Sequence, residues 1–399
     1  MGTRDENDRH RSGDLPDDPF ADAVPVVSAV EAAASAEREK RIATLRGRKL
    51  ETFLPASLAR MRARRDGTEK PIPLPDQWRH TADELRGGLW PGCFVLIGGT
   101  GSGKSQWAFE VAHNAAVRHA VPVLYVGLEL DEGGVSARLA ALGLHHAARS
   151  ASDGRRIHPP WSGLYLGHRP DIADLDEHGD AVIADLEAAP FYLVTGEARG
   201  WSYTELGGLV ADLRSMHPDA GPVLVIVDFL QLVSGDPSKP RETLREYIGG
   251  AAYAARMASR TYNAAVLLVS STSRSAYPMF QGKGDSGDVV PLGKGDPSRF
   301  VGTGKESGEV EYAADGVIAL CRSPRTDAEQ NPPVWLAIAK SRTGHRSPAE
   351  GGTGWVRYRF NGTTFVEEGP HQEAGGGKTA ASATPTGGER NRPRRGDLE

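Results

Sequence analysis

Phe94-Val95-Leu96-Ile97-Gly98-Gly99-Thr100-Gly101-Ser102-Gly103-Lys104-Ser105 decides how the rest of the chain is read. Four apolar residues make a short buried strand. A glycine-rich turn follows, and from Gln106 to Arg118 the pattern is that of a helix. Gly98, Gly103, Lys104 and Ser105 complete the spacing G-x-x-x-x-G-K-[ST] in the setting that gives it meaning, with a strand before and a helix after. The glycines at 98, 99, 101 and 103, with Thr100 and Ser102 between them, let backbone N–H groups approach phosphate oxygens. The helix N-terminus adds partial positive charge. Lys104 is placed to reach the β- and γ-phosphates, and the Ser105 hydroxyl to ligate a metal. The ligands implied are ATP and Mg2+.

Outward from this turn, apolar runs alternate with helical patterns between about residues 74 and 368. Val123 to Leu128, Phe191 to Val194, Val223 to Val227, Val266 to Val269, Val317 to Leu320 and Val334 to Ala339 read as the further strands, the last completing the set. Between them, Val135 to Leu142 reads as a helix. Ser202 with Glu205 makes a capping box opening a helix to about Met216. Leu244, Tyr247, Ile248, Ala251, Ala255 and Ala258 recur at helical spacing. The alternation predicts a three-layer α/β domain, a P-loop fold with a mainly parallel central sheet.

The flanks differ. Residues 1–23 mix charges with Pro, Asp and Gly and are expected to be disordered. Residues 24–73 read as an Ala-, Glu- and Arg-rich helical arm, broken by Gly47 and Pro55 and basic from Arg38 to Arg65; it is either a solvated helix or a linker docking on a neighbouring subunit. Pro71, Pro73 and Pro75 mark the boundary to the domain at 74–368, and residues 369–399 are expected to be a disordered tail. Of the 399 residues 39% are hydrophobic, enough for one sizeable core or two modest ones, and the net charge of −5 excludes a globally basic nucleic-acid binder. Cys93 and Cys321 are far apart without metal-type spacing, which fits a reducing cytosol. No apolar run is long enough for a membrane span, and the N-terminus is too polar for a secretory signal, so a cytoplasmic protein without membrane contact is expected. His145, His146, His158 and His168 fall near a loop-rich stretch at spacings that fit no metal motif and are expected to be solvated; Trp107, Trp161 and Trp201 are expected to be packing residues.

Two carboxylates stand where the sheet would open onto a ligand. Asp228 ends the run Val223 to Val227 and can hold Mg2+ through water opposite the phosphate turn. Glu129 ends the strand after the phosphate-turn helix. It either orients or deprotonates an attacking water, or is a surface carboxylate in a turn with Asp131 and Glu132.

Five segments in order resemble the helicase domain of the DnaB-type replicative helicases, within the RecA-like group of ATPases. They are Gly88-Leu89-Trp90-Pro91-Gly92 leading into the phosphate turn, Gly127-Leu128-Glu129-Leu130, Val227-Asp228-Phe229-Leu230-Gln231-Leu232, Glu306 to Asp315, and Lys340-Ser341-Arg342-Thr343-Gly344. The resemblance implies a ring hexamer with ATP sites between subunits, Arg342 reaching the neighbour's γ-phosphate and Lys340 assisting it. It also implies single-stranded DNA as partner, 5′ to 3′ polarity, a role in DNA replication, and a separate primase or loader. A RecA-like regulatory or repair ATPase of the RadA or KaiC kind shares several of these features, and an ATP-hydrolysing DNA-binding or loader subunit is the other alternative.

Three departures from the family pattern stand out. The usual N-terminal helical domain is expected to be absent, replaced by about 70 residues of mostly low-complexity sequence. The polar pair after the strand Val266 to Val269 is Ser270-Ser271 where the family has Ser-Gln, with Arg274 retained. The segment from Ser275 to Thr303 is longer than the family's central loop. It is Gly-rich and carries Lys283, Lys294 and Arg299, with Arg274 at its entrance. Those cations suit a phosphate track for single-stranded DNA. Asp285, Asp288 and Asp296 dilute the charge, so a merely flexible loop remains the other reading.

Overall fold

The computed structural model describes residues 26–150, 160–196, 201–239, 241–283, 292–304, 308–323, 332–343 and 353–368. The ends expected to be disordered, 1–23 and 369–399, lie outside these. The chain divides into two units at residues 69 and 70. The first contains helices α1 (Val26–Gly47) and α2 (Leu50–Arg65). Gly47 ends α1, as expected of a residue that pays the largest backbone entropy in a helix. Pro55 does not end a helix: it sits inside α2. A proline gives up the bond from its own nitrogen and crowds the carbonyl four residues back, and here the turns on either side carry the helix through. Arg60 and Arg64 close on Glu69 at 2.9 and 3.1 Å.

The second unit runs α3 (Arg79–Glu84), β1 (Gly92–Gly98), α4 (Lys104–His113), β2 (Val123–Gly127), α5 (Glu132–Ser150), α6 (Trp161–Tyr165), α7 (Arg169–Ala188), β3 (Phe191–Thr195), α8 (Leu206–Met216), β4 (Val223–Asp228), α9 (Leu244–Thr261), β5 (Ala264–Ser271), α10 (Tyr277–Phe280), α11 (Gly308–Ala313), β6 (Gly316–Arg322), β7 (Val334–Ser341), β8 (Trp355–Phe360) and β9 (Phe365–Glu368). The strands form one sheet in the order β3-β2-β4-β5-β1-β6-β7-β8-β9. From β3 to β6 every neighbouring pair is parallel, and β7, β8 and β9 are added antiparallel. This is the RecA-like P-loop architecture with a mainly parallel sheet.

Both faces of the central parallel strands β1, β2, β4 and β5 are covered, which is why they read as continuous apolar runs rather than alternating ones. Cys93, Val95 and Ile97 of β1, with Val223, Val225 and Val227 of β4, pack on one face with α8 and α9. Phe94, Leu96, Leu224 and Ile226 pack on the other with α4. Helix starts are set locally. Ser202 and Glu205 form the expected box, opening a 3₁₀ turn (Tyr203–Glu205) that runs into α8, and Thr243 with Glu246 forms a second box on α9.

Three expectations are corrected. Val334 to Ala339 does not complete the strands: β8 and β9 follow, and Val356-Arg357-Tyr358-Arg359-Phe360 carries the period-two alternation of an antiparallel strand. His145 and His146, expected to be solvated near a loop-rich stretch, lie in α5, and His145 is buried against Thr364. His158 lies outside the described residues. The helix after the phosphate turn is regular only to His113 and closes as a π turn over Asn114–Arg118. Among the described residues no helix is long and apolar enough to cross a membrane.

Candidate nucleotide site

Every parallel strand delivers its carboxyl end to one edge of the sheet, and the candidate residues from three strands meet there. β1 ends at Gly98, where an added Cβ would come within 2.7 Å of the Leu320 carbonyl and of Ser102 Oγ, so the turn packs directly on β6. Gly101 and Gly103 hold φ of 75° and 96°, the left-handed region that glycine enters without a Cβ penalty. The turn thereby wraps over the start of α4. Lys104 Nζ lies across it, donating to the carbonyls of Gly98 and Gly99 at 3.0 Å each. Burial lowers the Lys104 pKa to about 8, against the opposing pull of Asp228 and Glu129. The buried Ser102 hydroxyl has no partner among the described residues. Thr100 Oγ1 meets the Tyr277 hydroxyl at 3.0 Å, at the rim of a cavity lined also by Phe280, Gln281 and Arg322.

Asp228 is 3% exposed at the end of β4, beside Gly127 of β2. Its Oδ1 accepts from Ser105 Oγ at 3.2 Å and its Oδ2 from the Tyr125 hydroxyl at 2.7 Å. Burial raises the Asp228 pKa, and the bonds from Tyr125 and Ser105 work against that rise. Ser105 and Asp228 therefore set a hydroxyl and a carboxylate oxygen side by side, the ligand chemistry of a hard divalent cation. No group of three or more His, Cys, Asp or Glu among the described residues could enclose a metal. That donor set fits Mg2+, which takes one or two protein oxygens and completes its shell with water and phosphate.

Glu129 lies two residues beyond Gly127, in a crevice with Leu128, Leu130, Gly133, Thr195 and Gly196. Its neighbour Asp131 is occupied otherwise, accepting from the Gly134 N–H at 2.7 Å and the Tyr165 hydroxyl at 2.9 Å. Gln231 joins the ends of β4 and β5: its Nε2 donates to Ser270 Oγ at 2.8 Å and its Oε1 accepts from the Ser271 N–H at 3.3 Å.

Lys340 and Arg342 sit elsewhere. β7 runs antiparallel, so its carboxyl end lies at the opposite edge, where Val317 pairs with Lys340 and Gly316 with Ser341. Lys340 Nζ donates to the carbonyls of Glu311 and Tyr312 at 2.7 and 3.0 Å, closing the end of α11. Arg342 reaches the Tyr312 carbonyl and Asp315 Oδ1 at 3.2 and 3.0 Å. The segments Glu306–Asp315 and Lys340–Gly344, separate in sequence, thus converge, although Glu306, Ser307 and Gly344 lie outside the described residues.

Of the candidate DNA-contacting cations, Arg274, Lys283 and Lys294 are exposed. Arg299 instead lies over the rings of Phe300 and Trp355, at 5.1 and 5.5 Å, with Nε and Nη2 buried. Asp285 and Asp288 of the same segment lie outside the described residues. Trp107 and Trp201 are buried and Trp161 stacks under Arg138 at 4.1 Å, all packing residues as expected. Tyr125 is the site residue that sequence reasoning missed. Its signal is a tyrosine in the buried run Val123 to Gly127, where a phenol must find an acceptor.

With this geometry in place, comparison with known proteins is informative. The model of the DnaB-like helicase C-terminal domain matches residues 79–363. A replicative DNA helicase DnaB of Leifsonia xyli subsp. xyli (strain CTCB07) is 25% identical over 270 residues, 66% of this chain and 50% of the relative. The chain therefore spans about half the length of that relative. Among solved structures, one ATPase domain superposes with a TM-score of 0.57 at 18% identity, covering 79% of this chain and 98% of that one. A DnaB-like replicative helicase studied with its interactions with primase gives 0.56 at 19% identity, covering 78% and 66%. At these identities the two structures speak for the fold alone.

Proposed function

The chain belongs to the DnaB-like helicase C-terminal domain family, and from that premise we propose that it is an ATP-dependent, ring-forming DNA helicase or translocase acting on single-stranded DNA in replication. In this reading the Gly98–Ser105 backbone and Lys104 bind the triphosphate, and Glu129 orients the attacking water. Ser105 directly and Asp228 through water would hold Mg2+, which when bound neutralises charge on the phosphates. Arg342, with Lys340 beside it, completes the site of the next subunit. Arg274, Lys283 and Lys294 are the proposed DNA contacts, whereas Arg299, spread over Phe300 and Trp355, packs instead. Movement 5′ to 3′ and a separate primase or loader follow from the family.

One observation supports this reading above the others. The phosphate turn and Arg342 occupy opposite edges of one sheet, so a single copy cannot bring them together, while a head-to-tail neighbour can. Such heterologous contacts close into rings when the rotation closes. A second reading, ATP hydrolysis on DNA without unwinding, is favoured by Ser271: its side chain is short, and the nearby Gln231 amide is engaged by Ser270 and Ser271.

The test pairs an ATPase assay with unwinding of a forked duplex. Unwinding that is lost together with hydrolysis in Lys104→Ala supports the helicase reading. ATPase activity stimulated by single strands but without unwinding favours the second reading. Hydrolysis indifferent to DNA, with no hexamer by light scattering in the presence of ATP and single-stranded DNA, sinks both.

A further inference from the structure

The β8–β9 hairpin stands at the edge of the sheet, its strands three and four positions from β1, yet its turn reaches back over the start of α4. Gln106 Nε2 donates to the Thr363 carbonyl at 2.7 Å, and the Phe365 N–H donates to Glu110 Oε1 at 2.8 Å. From the other side Trp78 Nε1 donates to the Phe365 carbonyl at 2.9 Å. The Phe365 ring, 1% exposed, lies directly against the last glycine of the phosphate turn: a Cβ on Gly103 would stand 2.6 Å from Phe365 Cζ. Gly103, Gln106 and Glu110 follow one another at helical spacing, so the hairpin grips one side of the beginning of α4 over two turns.

We propose that Phe365 and Glu110 are positioning residues of the nucleotide site, the ring backing Gly103 and the carboxyl group holding the ring's own backbone in place. The inference rests on the reading of Gly98–Ser105 as a phosphate cradle. Gly103 precedes Lys104 in a left-handed conformation with no side chain of its own to fix its height. The volume behind it is filled by a ring from the far end of the domain. Removing the ring leaves a cavity into which the turn can sink, and the N–H groups and Lys104 then lose their common focus on the phosphates. Glu110 Oε2 is buried with no partner among the described residues, and burial pushes its carboxyl well above the usual range. The group is thus engaged by Phe365 alone on its hairpin side, which is what a residue kept for positioning looks like.

Equilibrium binding of a fluorescent ATP analogue and steady-state ATPase kinetics on the full chain test this. Removing a residue that only positions a binding group typically costs about 10- to 100-fold in affinity or activity at metal sites, and Phe365→Ala is expected to raise KM for ATP on that scale, with a much smaller change in kcat at saturation. Phe365→Met, which refills the space, should restore most of the affinity. Phe360 provides the control: its ring packs 5.0 Å from that of Phe365 in the same hairpin, but it is not among the atoms facing Gly103. Phe360→Ala should therefore leave KM near wild type. Should Phe365→Ala not fold, Glu110→Leu keeps the ring and removes its backbone partner, and must raise KM in the same direction. The inference is overturned if KM is unchanged in Phe365→Ala and Glu110→Leu, or if Phe360→Ala raises it as much as Phe365→Ala. A wild-type chain that binds no ATP overturns the site reading itself, a different result from normal wild-type binding that the variants share.

Discussion

Gly98 and Arg342 lie at opposite ends of β1. Gly98 is its last residue, whereas the Arg342 N–H donates to the Asp315 carbonyl at 2.7 Å, and Asp315 in turn is bonded on both its N–H and its carboxylate to Cys93 at the strand's beginning. Five residue steps of strand lead from Cys93 to Gly98, about 16 Å at the usual rise. The guanidinium at rest is held by Asp315 and the Tyr312 carbonyl. An exposed pair of this kind is worth only about 0 to 1 kcal/mol, so a phosphate from a neighbouring copy can displace it.

Arg342→Ala and Lys104→Ala chains are each expected to be inactive as ATPases. An arginine supplied in trans typically contributes on the order of 10³ to 10⁵ in rate. Mixed in one ring, the first supplies a sound cradle and the second a sound arginine, so partial hydrolysis should return. Mixed rings that form, by light scattering or crosslinking, yet remain inactive would show that Arg342 serves its own subunit.

Tyr125→Phe removes the hydroxyl donated to Asp228 Oδ2 and leaves a buried carboxylate oxygen without its 2.7 Å partner. Losing such an outer partner of a metal ligand commonly weakens metal affinity by about 10- to 100-fold. The Mg2+ concentration for half-maximal hydrolysis should rise by that order, while ATP turnover at saturating Mg2+ is largely recovered. A Mg2+ titration superimposable on wild type would remove Asp228 from the metal's neighbourhood.

The lowered Lys104 pKa has a readable sign. Below about pH 8 the free site carries a charged ammonium; above it the lysine is neutral. Bound phosphate favours the charged form, so above pH 8 binding must take up a proton and ATP affinity should fall by roughly tenfold per pH unit. Below pH 8 this group contributes no pH dependence. Lys104→Arg, always charged, should bind with a flat profile whatever its affinity. Calorimetric binding across pH 7 to about 9.5 decides the matter, and a flat wild-type curve would contradict the burial of Lys104.

Lys283 and Lys294 should behave unlike Arg299, although all three belong to one segment. The two lysines are exposed, whereas Arg299 is spread over Phe300 and Trp355. If the lysines meet phosphates, neutralising both should flatten the salt dependence of single-strand binding by a slope of about 0.7 per phosphate and spare DNA-independent hydrolysis. Arg299→Ala should chiefly lower the melting temperature by losing stacking on the rings. A salt slope unaltered in the lysine pair would return the segment to a flexible loop.

Much of the architecture was legible without coordinates, because its signals are local. A run such as Val223 to Val227 has to be a strand buried on both faces. The glycine spacing from Gly98 to Gly103 has a single stereochemical use, and a carboxylate closing a parallel strand must face the edge where that spacing ends. The helix starts at Ser202 and the strand count up to β7 were likewise written in neighbouring residues. What the sequence could not disclose depends on residues that meet only after folding. Tyr125 finds Asp228 across a strand pair 103 positions apart, and Phe365 reaches Glu110 across 255. Neither the direction of β7 nor the turn of β8–β9 onto α4 is marked in a local pattern, since an antiparallel return is decided by which sheet edge is left unpaired. The types of group needed for phosphate chemistry were therefore determined along the chain. Their separation to opposite edges of the sheet, with Arg342 beyond reach of its own Lys104, was decided by the antiparallel direction of β7.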